Sequence, residues 1–434
     1  MNINTEEYRR KLTTPEQIAA QIKPGWNCCS DIALAIPYAI SNAIGDRVRK
    51  HNLSGVTMHT ILDIFPMDCY NKELNGKLRG VSWFSGTSAR TAIDSGYGDI
   101  MPCYYRDMPN LFSDYVNIDA YCAVVSPMDR YGYFSTGGTG SNSLAMIQKA
   151  KNIFLEVNEN MPRALSAPVI HISQVTALCE NNVELPVLSP SKLDDVSITI
   201  GNLIADEIPN GATIQLGIGS IPDAVGMALK SKHDLGIHTE MFTDSMVELL
   251  ECGAANNLRK PIHRGRSVTT FALGSKRMYD YIDNNPAIEI LPVDYVNNPS
   301  TIALHPNFIS INGALEVDFF GQVCAESVGT YHISGTGGQV DYVRGAVQSK
   351  GGKSFIAFPS TAKNGTISRI KPILSPGAIV TTSKNDVDHI VTEYGIAKLR
   401  GRTLSQRTKA LIAIAHPKFR DELTFAAKKH KIII

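Results

Sequence analysis

The chain has 434 residues, of which 43% are hydrophobic and 19% charged, so it is long enough to bury more than one core, and we expect two domains. Its 42 basic and 41 acidic residues give a net charge of +1 without long runs of either sign, which argues against a nucleic-acid partner. No apolar run approaches the ~20 residues that span a bilayer, and residues 1–12 are polar and charged. We therefore expect a cytoplasmic protein with no membrane partner.

The eight cysteines are dilute, and Cys28 and Cys29 are adjacent rather than spaced as a CxxC pair. We interpret the cysteines as buried free thiols. His233 and His238 are five residues apart, and the sequence has no HExxH motif. We therefore predict no metal site.

Apolar strand-like runs alternate with amphipathic helices along the chain, which is the pattern of an α/β protein with largely parallel sheets. Helices are predicted at residues 37–50, 142–151, 194–207, 222–229, 244–252 and 405–415. Strands are predicted at residues 55–64, 118–125, 167–172, 213–216, 267–273 and 378–382.

The sequence contains a faint internal repeat, with one copy near the start of the chain and one near its middle. Residues 19–40 and residues 205–225 each predict a helix, a glycine turn, a strand, a loop and a helix led by proline. Coincidental similarity is the alternative. If the repeat is real, the chain contains two related open α/β domains, which we place at residues 1–186 and 191–434. The Pro- and Ser-containing stretch 185–191 is then the linker.

Nucleotide and serine-hydrolase motifs are missing from the sequence. Residues 217–222 lack the spacing of a GxGxxG fingerprint, and Val347 stands where a Walker A loop ending at residues 352–354 would need glycine. There is no GxSxG elbow. These absences argue against NAD, ATP and a serine nucleophile.

Glycine turns precede helices or strands at residues 137–141, 217–219 and 335–339. A helix N-terminus presents unpaired N–H groups and the positive end of the helix dipole, which suit a phosphate, a carboxylate or a developing oxyanion. One such turn is usually structural. Three in one chain leave the structural and the anion-binding interpretations balanced.

Glu240 stands just before the helix predicted at residue 244, where a carboxylate is a candidate nucleophile. It would be ionised at neutral pH and would need no general base, which fits the missing triad. The alternative is a solvated carboxylate beside a helix that Asp244 caps, and the chemistry of the residue alone favours this alternative.

The chain resembles the acetyl-CoA hydrolase/transferase family, the class I CoA-transferases, and is most similar to its 4-hydroxybutyrate CoA-transferase branch. The resemblance extends over nearly the whole chain and is carried by residues 215–222, 236–244, 310–318, 334–344, 360–365, 391–395, 399–401 and 412–420. It implies two α/β domains of the CoA-transferase type, the first on the acyl and carboxylate side, the second with the nucleophile and most CoA contacts. It also implies coenzyme A as a substrate rather than a resident cofactor, and a homodimer.

The resemblance further implies roles for single residues. Glu240 matches the glutamate that attacks the thioester, Asn312 would hydrogen-bond the thioester intermediate, and Glu393 would orient the nucleophile or its neighbours. A hairpin turn is an equal alternative for Asn312 with Gly313, and a surface position is slightly favoured for Glu393. The oxyanion and CoA-binding positions implied by the family are Gly217, Ile218, Gly219, Gly335, Gly337 and Gly338.

We therefore expect an enzyme that exchanges CoA between a short-chain acyl-CoA, such as 4-hydroxybutyryl-CoA or butyryl-CoA, and acetate. An acyl-CoA hydrolase is the nearest alternative, because it needs water admitted to the same anhydride. A second alternative is a CoA-binding protein that has kept the fold without turnover.

Overall fold

The computed structural model describes residues 3–189 and 191–433 and divides the chain into two compact units. The first unit comprises Met1–Leu188, Val268–Val296 and Ile333–Gly337, and the second comprises Ser189–Ser267, Asn297–His332 and Gly338–Ile434. The first division falls inside the stretch interpreted as the linker, whose Pro190 lies outside the described residues.

The helices follow the chain in this order: α1 (Ile3–Lys11), α2 (Pro15–Gln21), α3 (Tyr38–Arg49), α4 (Thr87–Asp94), α5 (Met108–Tyr115), α6 (Ser143–Lys149), α7 (Asp195–Asp206), α8 (Ser220–Ala228), α9 (Asp244–Glu251), α10 (Lys276–Ile282), α11 (Val293–Val296), α12 (Pro299–Ala303), α13 (Gln339–Gln348), α14 (Leu404–Ile414) and α15 (Pro417–Lys429). With 13 residues, α15 is the longest helix in the described ranges, and none there has the length and apolar composition of a bilayer span.

The strands are β1 (Asn27–Ile32), β2 (Val56–Ile61), β3 (Leu78–Phe84), β4 (Asp99–Ile100), β5 (Ala120–Val125), β6 (Tyr133–Ser135), β7 (Asn152–Val157), β8 (Val169–His171), β9 (Ala177–Glu180), β10 (Thr213–Leu216), β11 (Gly236–Phe242), β12 (Ser267–Ala272), β13 (Ile288–Ile290), β14 (Phe308–Gly313), β15 (Glu316–Asp318), β16 (Val323–Cys324), β17 (Ser327–Val328), β18 (Tyr331–His332), β19 (Lys353–Ala357), β20 (Thr361–Ala362), β21 (Ile367–Ser368), β22 (Ile370–Lys371), β23 (His389–Thr392) and β24 (Gly395–Lys398).

Each unit contains an open parallel sheet with the same strand order. In the first unit the order is β4-β3-β2-β1-β5-β7-β9, and every neighbouring pair is parallel. In the second unit β11-β10-β14-β19-β23 repeats the order β2-β1-β5-β7-β9, and β24 is added antiparallel to β23. The repeat predicted from the sequence is therefore present in the topology, and the α/β fold class is confirmed.

The glycine turns that begin the two copies have the same backbone geometry. Gly25 precedes β1 with φ 80°, and Gly211 precedes β10 with φ 78°. Residues with a Cβ atom rarely adopt this left-handed conformation, so glycine at both positions is a conformational requirement. The helices that follow pack by helical periodicity; α3, for example, buries Ile40, Ile44 and Val48 at intervals of four residues.

The six predicted helices and five of the six predicted strands are confirmed. The strand predicted at residues 378–382 is wrong, because that segment forms a single bridge between Thr382 and Val323 and exposes Ile379 and Val380. A short apolar run has no periodicity that separates a strand from a surface loop. The cysteines are all free thiols; six are buried, whereas Cys252 is exposed.

The central strand β11 is tied to the loop that follows α9. Lys260 is buried, and its Nζ donates to the carbonyl of Ile237 at 2.8 Å and to that of Arg266 at 2.6 Å. Oδ1 of Asn257 accepts a hydrogen bond from the N–H of Ile237 at 2.8 Å. These contacts hold the backbone of β11 at Ile237, three residues before Glu240.

Candidate active site

Glu240 lies near the carboxyl end of β11, where its side chain is half-buried. Its Oε2 accepts a hydrogen bond from Nδ2 of Asn297 at 2.6 Å. Asn297 is fully buried, and no group in the described part of the chain donates to its Oδ1. The buried amide of Asn297 therefore holds one carboxylate oxygen of Glu240, while its own oxygen accepts no hydrogen bond from the described residues.

The start of α13 approaches this carboxylate at Gly338. Gly338 is the N-cap residue of the helix, and a Cβ atom on it would overlap with Oε2 of Glu240 and with Nδ2 of Asn297. Any side chain at residue 338 would force the helix and the carboxylate apart. Because a helix N-terminus carries unpaired N–H groups and partial positive charge, this approach stabilises negative charge beside Glu240.

Burial raises the pKa of Glu240 from its ordinary value of 4.5 to about 7, and the hydrogen bond from Asn297 opposes the rise. Part of the Glu240 side chain remains accessible to solvent. The rise in pKa therefore comes from protein atoms packed around the carboxylate, which displace water from it without enclosing it completely. The group is ionised about half of the time near neutral pH. A perturbed pKa with a specific polar partner is typical of residues that react.

The register of the sheet sets the glycine turn of residues 217–219 beside Glu240. Ile214 of β10 pairs with Ile237 of the parallel strand β11. The two segments stay close beyond this pair, because Oγ1 of Thr239 donates to the carbonyl of Leu216 at 3.4 Å, so Gly217 follows near Glu240. The turn and the carboxylate therefore lie together at the carboxyl edge of the sheet, where open α/β proteins bind their ligands.

The three residues of this turn have different environments. The N–H of Gly217 donates to the carbonyl of Ile311 at 2.9 Å, so it belongs to the sheet. Ile218 is 56% exposed and presents an apolar side chain to solvent. Gly219 is the N-cap residue of α8, and its φ of 109° is a conformation that other residues rarely adopt. Gly217 therefore uses its N–H within the sheet, whereas Gly219 is required by the backbone conformation at the start of α8.

Gly335 and Gly337 lie in the first unit, whereas Gly338 belongs to the second. A Cβ atom on Gly335 would lie 2.8 Å from the carbonyl oxygen of Trp83. The carbonyl of Gly337 accepts a hydrogen bond from the N–H of Tyr105 at 3.1 Å. Gly335 permits a close backbone approach, and the part of both glycines in CoA binding stays a prediction.

Asn312 lies in β14 and pairs in register with β19, so the hairpin-turn alternative is wrong. Its side-chain amide exchanges two hydrogen bonds with that of Gln215, at 3.3 and 3.4 Å. The side chain that holds Glu240 is instead Asn297. The predicted contact of Asn312 with a thioester stays a prediction.

Glu393 is partly buried and accepts hydrogen bonds from both the N–H and the hydroxyl of Ser360, at 2.8 and 2.5 Å. This bond joins the ends of β19 and β23. Part of the Glu393 side chain remains exposed, and its contact with Ser360 supports a structural role. An effect of Glu393 on the nucleophile stays a prediction.

The glycine turn at residues 137–141 uses its donors within the first unit. The N–H groups of Gly140 and Ser141 both donate to the carbonyl of Thr270, at 2.7 and 3.1 Å. Oγ1 of Thr139 donates to the buried carboxylate of Asp31 at 3.1 Å. The anion-binding hypothesis therefore fails for these N–H groups, and the structural interpretation accounts for the turn.

Sequence reasoning missed Asn297. The pair Asn297 and Asn298 before Pro299 predicts a helix start, and Asn298 indeed caps α12 by accepting a hydrogen bond from the N–H of Ser300 at 2.9 Å. One asparagine is sufficient for a cap, so the second was available for another role. The sequence does not reveal that this role is 57 residues away at Glu240, which follows from packing.

Family models place the chain in a known class. The N-terminal domain of acetyl-CoA hydrolase/transferase matches residues 1–189, and its C-terminal domain matches residues 274–427. The chain is 45% identical to the succinyl-CoA:cyclohexane-1-carboxylate CoA transferase of Geobacter metallireducens, over 98% of this chain and 96% of that one. It is 44% identical to the 4-hydroxybutyrate coenzyme A transferase of Clostridium kluyveri, over 98% and 99% of the two chains.

A solved structure has the same fold. RipA from Yersinia pestis superposes with a TM-score of 0.94 at 38% identity, over 100% of both chains. The chain therefore belongs to the acetyl-CoA hydrolase/transferase family, and the resemblance noted from the sequence is confirmed.

Replacing Glu240 by glutamine should stabilise the protein at high pH. Since the folded pKa of about 7 exceeds the ordinary 4.5, ionising Glu240 disfavours the folded state. The loss of stability caused by this ionisation is absent below pH 4.5 and increases between pH 4.5 and pH 7. Above pH 7 it is complete and amounts to at most about 3 kcal/mol. Urea unfolding at pH 5 and pH 8 should show a gain for Glu240→Gln that is larger at pH 8.

The exposed Glu422 provides the matched control. Glu422→Gln should change the free energy of unfolding by less than about 0.5 kcal/mol at both pH values. A gain for Glu240→Gln that is equal at pH 5 and pH 8 would contradict the raised pKa.

Proposed function

We propose that the protein transfers CoA from a short-chain acyl-CoA, such as 4-hydroxybutyryl-CoA or butyryl-CoA, to acetate through a glutamyl-CoA thioester on Glu240. The observation that carries the proposal is the carboxylate itself, which Asn297 holds at 2.6 Å and which lies against the start of α13 at Gly338. Membership of the acetyl-CoA hydrolase/transferase family supports it, as do the names of the two full-length relatives.

In the first half-reaction, an oxygen of Glu240 attacks the thioester carbonyl. The C–S bond breaks, CoA leaves as a thiolate, and an acyl-glutamyl anhydride remains. The thiolate then attacks the glutamyl carbonyl of this anhydride and releases the acyl group as a carboxylate that carries one oxygen from Glu240. The anhydride is at least as activated as the thioester, so the free energy of the thioester is retained.

In the second half-reaction, the acceptor carboxylate reverses these steps. It attacks the glutamyl-CoA thioester, expels the thiolate and forms a new anhydride. The thiolate takes the new acyl group, and Glu240 keeps one oxygen of the acceptor. A carboxylate nucleophile requires no general base in either direction, because it is already ionised when it attacks.

Each attack creates an oxyanion beside Glu240, and the closeness of the start of α13 to Glu240 supports a role for this helix in stabilising it. Backbone N–H donors aimed at such a charge contribute on the order of 3 kcal/mol each. Asn297 supplies a further donor on the side of Oε2. We assign Gly217, Ile218, Gly219, Gly335 and Gly337 to oxyanion stabilisation or CoA binding on the family resemblance alone.

We also infer a cytoplasmic location and a homodimer. Both inferences rest on the sequence and on the family resemblance, since the contacts described above all lie within one chain.

An acceptor-dependence assay distinguishes transfer from hydrolysis. With acetyl-CoA and butyrate, the enzyme should form butyryl-CoA, measured by chromatography. With acetyl-CoA alone, about one equivalent of acetate per active site should be released and no free thiol should accumulate, because CoA stays on Glu240 as a thioester that has no acceptor. Glu240→Ala should abolish the exchange. Sustained thiol release without an acceptor would identify a hydrolase and refute the transferase proposal.

Asn297 should set the pH range of the reaction. Since the ionised form of Glu240 attacks, kcat/KM should fall below pH 7 along an acid limb near the pKa of about 7. The hydrogen bond from Asn297 lowers that pKa, so Asn297→Ala should move the acid limb to higher pH and reduce kcat about 100-fold.

The neighbouring Asn298 is the matched control for this substitution. Asn298→Ala removes the cap of α12 and should lower the unfolding free energy by about 1 kcal/mol, while the acid limb stays in place. An acid limb that stays in place in Asn297→Ala would contradict the assignment.

A further inference from the structure

The start of α13 is held by the side chain of its first residue. Gln339 is buried, and its Nε2 donates to the carbonyl of Gly313 at 2.7 Å. Its Oε1 accepts a hydrogen bond from Oγ1 of Thr382 at 2.8 Å. Both ends of the amide are used, and an amide turned by 180° would set its oxygen against the carbonyl oxygen of Gly313.

Both anchor points belong to well-fixed parts of the second unit. Gly313 ends β14 and follows Asn312, whose amide pairs with Gln215 of β10. Thr382 is fully buried and exchanges backbone hydrogen bonds with Val323, each at 3.0 to 3.1 Å. The bridge through Gln339 therefore connects the carboxyl edge of the sheet to the segment after residue 378.

We propose that Gln339 is a positioning residue, which sets the distance and rotation of α13 relative to Glu240. The proposal rests on the proposed function of Glu240. Gln339 directly follows Gly338, and a Cβ atom on Gly338 would overlap with the carboxylate of Glu240. A helix start that close to the nucleophile tolerates little displacement, and a misplacement of about 1 Å near a reacting group can reduce the rate about 100-fold.

Gln339 acts through geometry and does not touch the reacting atoms. Without the bridge, α13 would still pack through Val340, Val343 and Ala346, which are buried on its inner face. The N–H groups at its start would then lose their fixed position relative to the oxyanion. The expected consequence is a slower chemical step with little change in the affinity for acyl-CoA.

A double-mutant cycle tests this inference. Gln339→Met keeps the length of the side chain and removes both hydrogen bonds; Thr382→Val removes one of them. Gln339→Met should lower kcat and the single-turnover rate of CoA adduct formation on Glu240 about 10- to 100-fold, with KM for acyl-CoA changed less than about threefold. Since Thr382 acts through Gln339, the double variant should be no slower than Gln339→Met.

Gln348, exposed at the other end of α13, gives the matched control. Gln348→Met should leave both rates unchanged. If Gln339→Met lowers the melting temperature but keeps the wild-type adduct rate well below that temperature, or if the two substitutions multiply in the double variant, the positioning role is wrong. If the wild-type enzyme itself forms no CoA adduct, the proposed function fails first.

Discussion

The site depends on how closely the carboxylate of Glu240 approaches the start of α13. A Cβ atom at residue 338 has no room there, so glycine at this position lets the positive end of the helix lie against the nucleophile. The neighbouring strands place the turn of residues 217–219 at the same edge of the sheet. Asn297 holds the carboxylate in this position, and the proposed role of Gln339 is to hold the start of the helix against it.

Burial and hydrogen bonding act on Glu240 in opposite directions. Burial raises its pKa to about 7, and Asn297 limits the rise. A carboxylate too easily protonated would be inactive at neutral pH, whereas one as acidic as in water would be a weaker nucleophile and a better leaving group. Ionised Glu240 destabilises the fold, which is the usual relation between a reactive group and the stability of its scaffold.

Local sequence features predicted much of the fold and part of the site. Periodic apolar residues identified α3 and α7, the glycine turns before β1 and β10 revealed the repeat, and the family resemblance singled out Glu240. Asn297 and Gln339 were not predicted, because each contact joins residues far apart in sequence: Asn297 bonds Glu240, and Gln339 bonds Gly313 and Thr382. An asparagine before a cap or a glutamine in a first turn has no local pattern that names its partner.

In the proposed mechanism, Glu240 exchanges an oxygen atom with the acid substrate. This exchange can be measured directly by incubating the enzyme with acyl-CoA and acetate labelled with ¹⁸O, followed by mass spectrometry of the peptide that contains Glu240. The mechanism predicts that ¹⁸O enters the carboxylate of Glu240 during turnover, and that no label enters when acyl-CoA is omitted. Continued CoA exchange without label on Glu240 would contradict this mechanism.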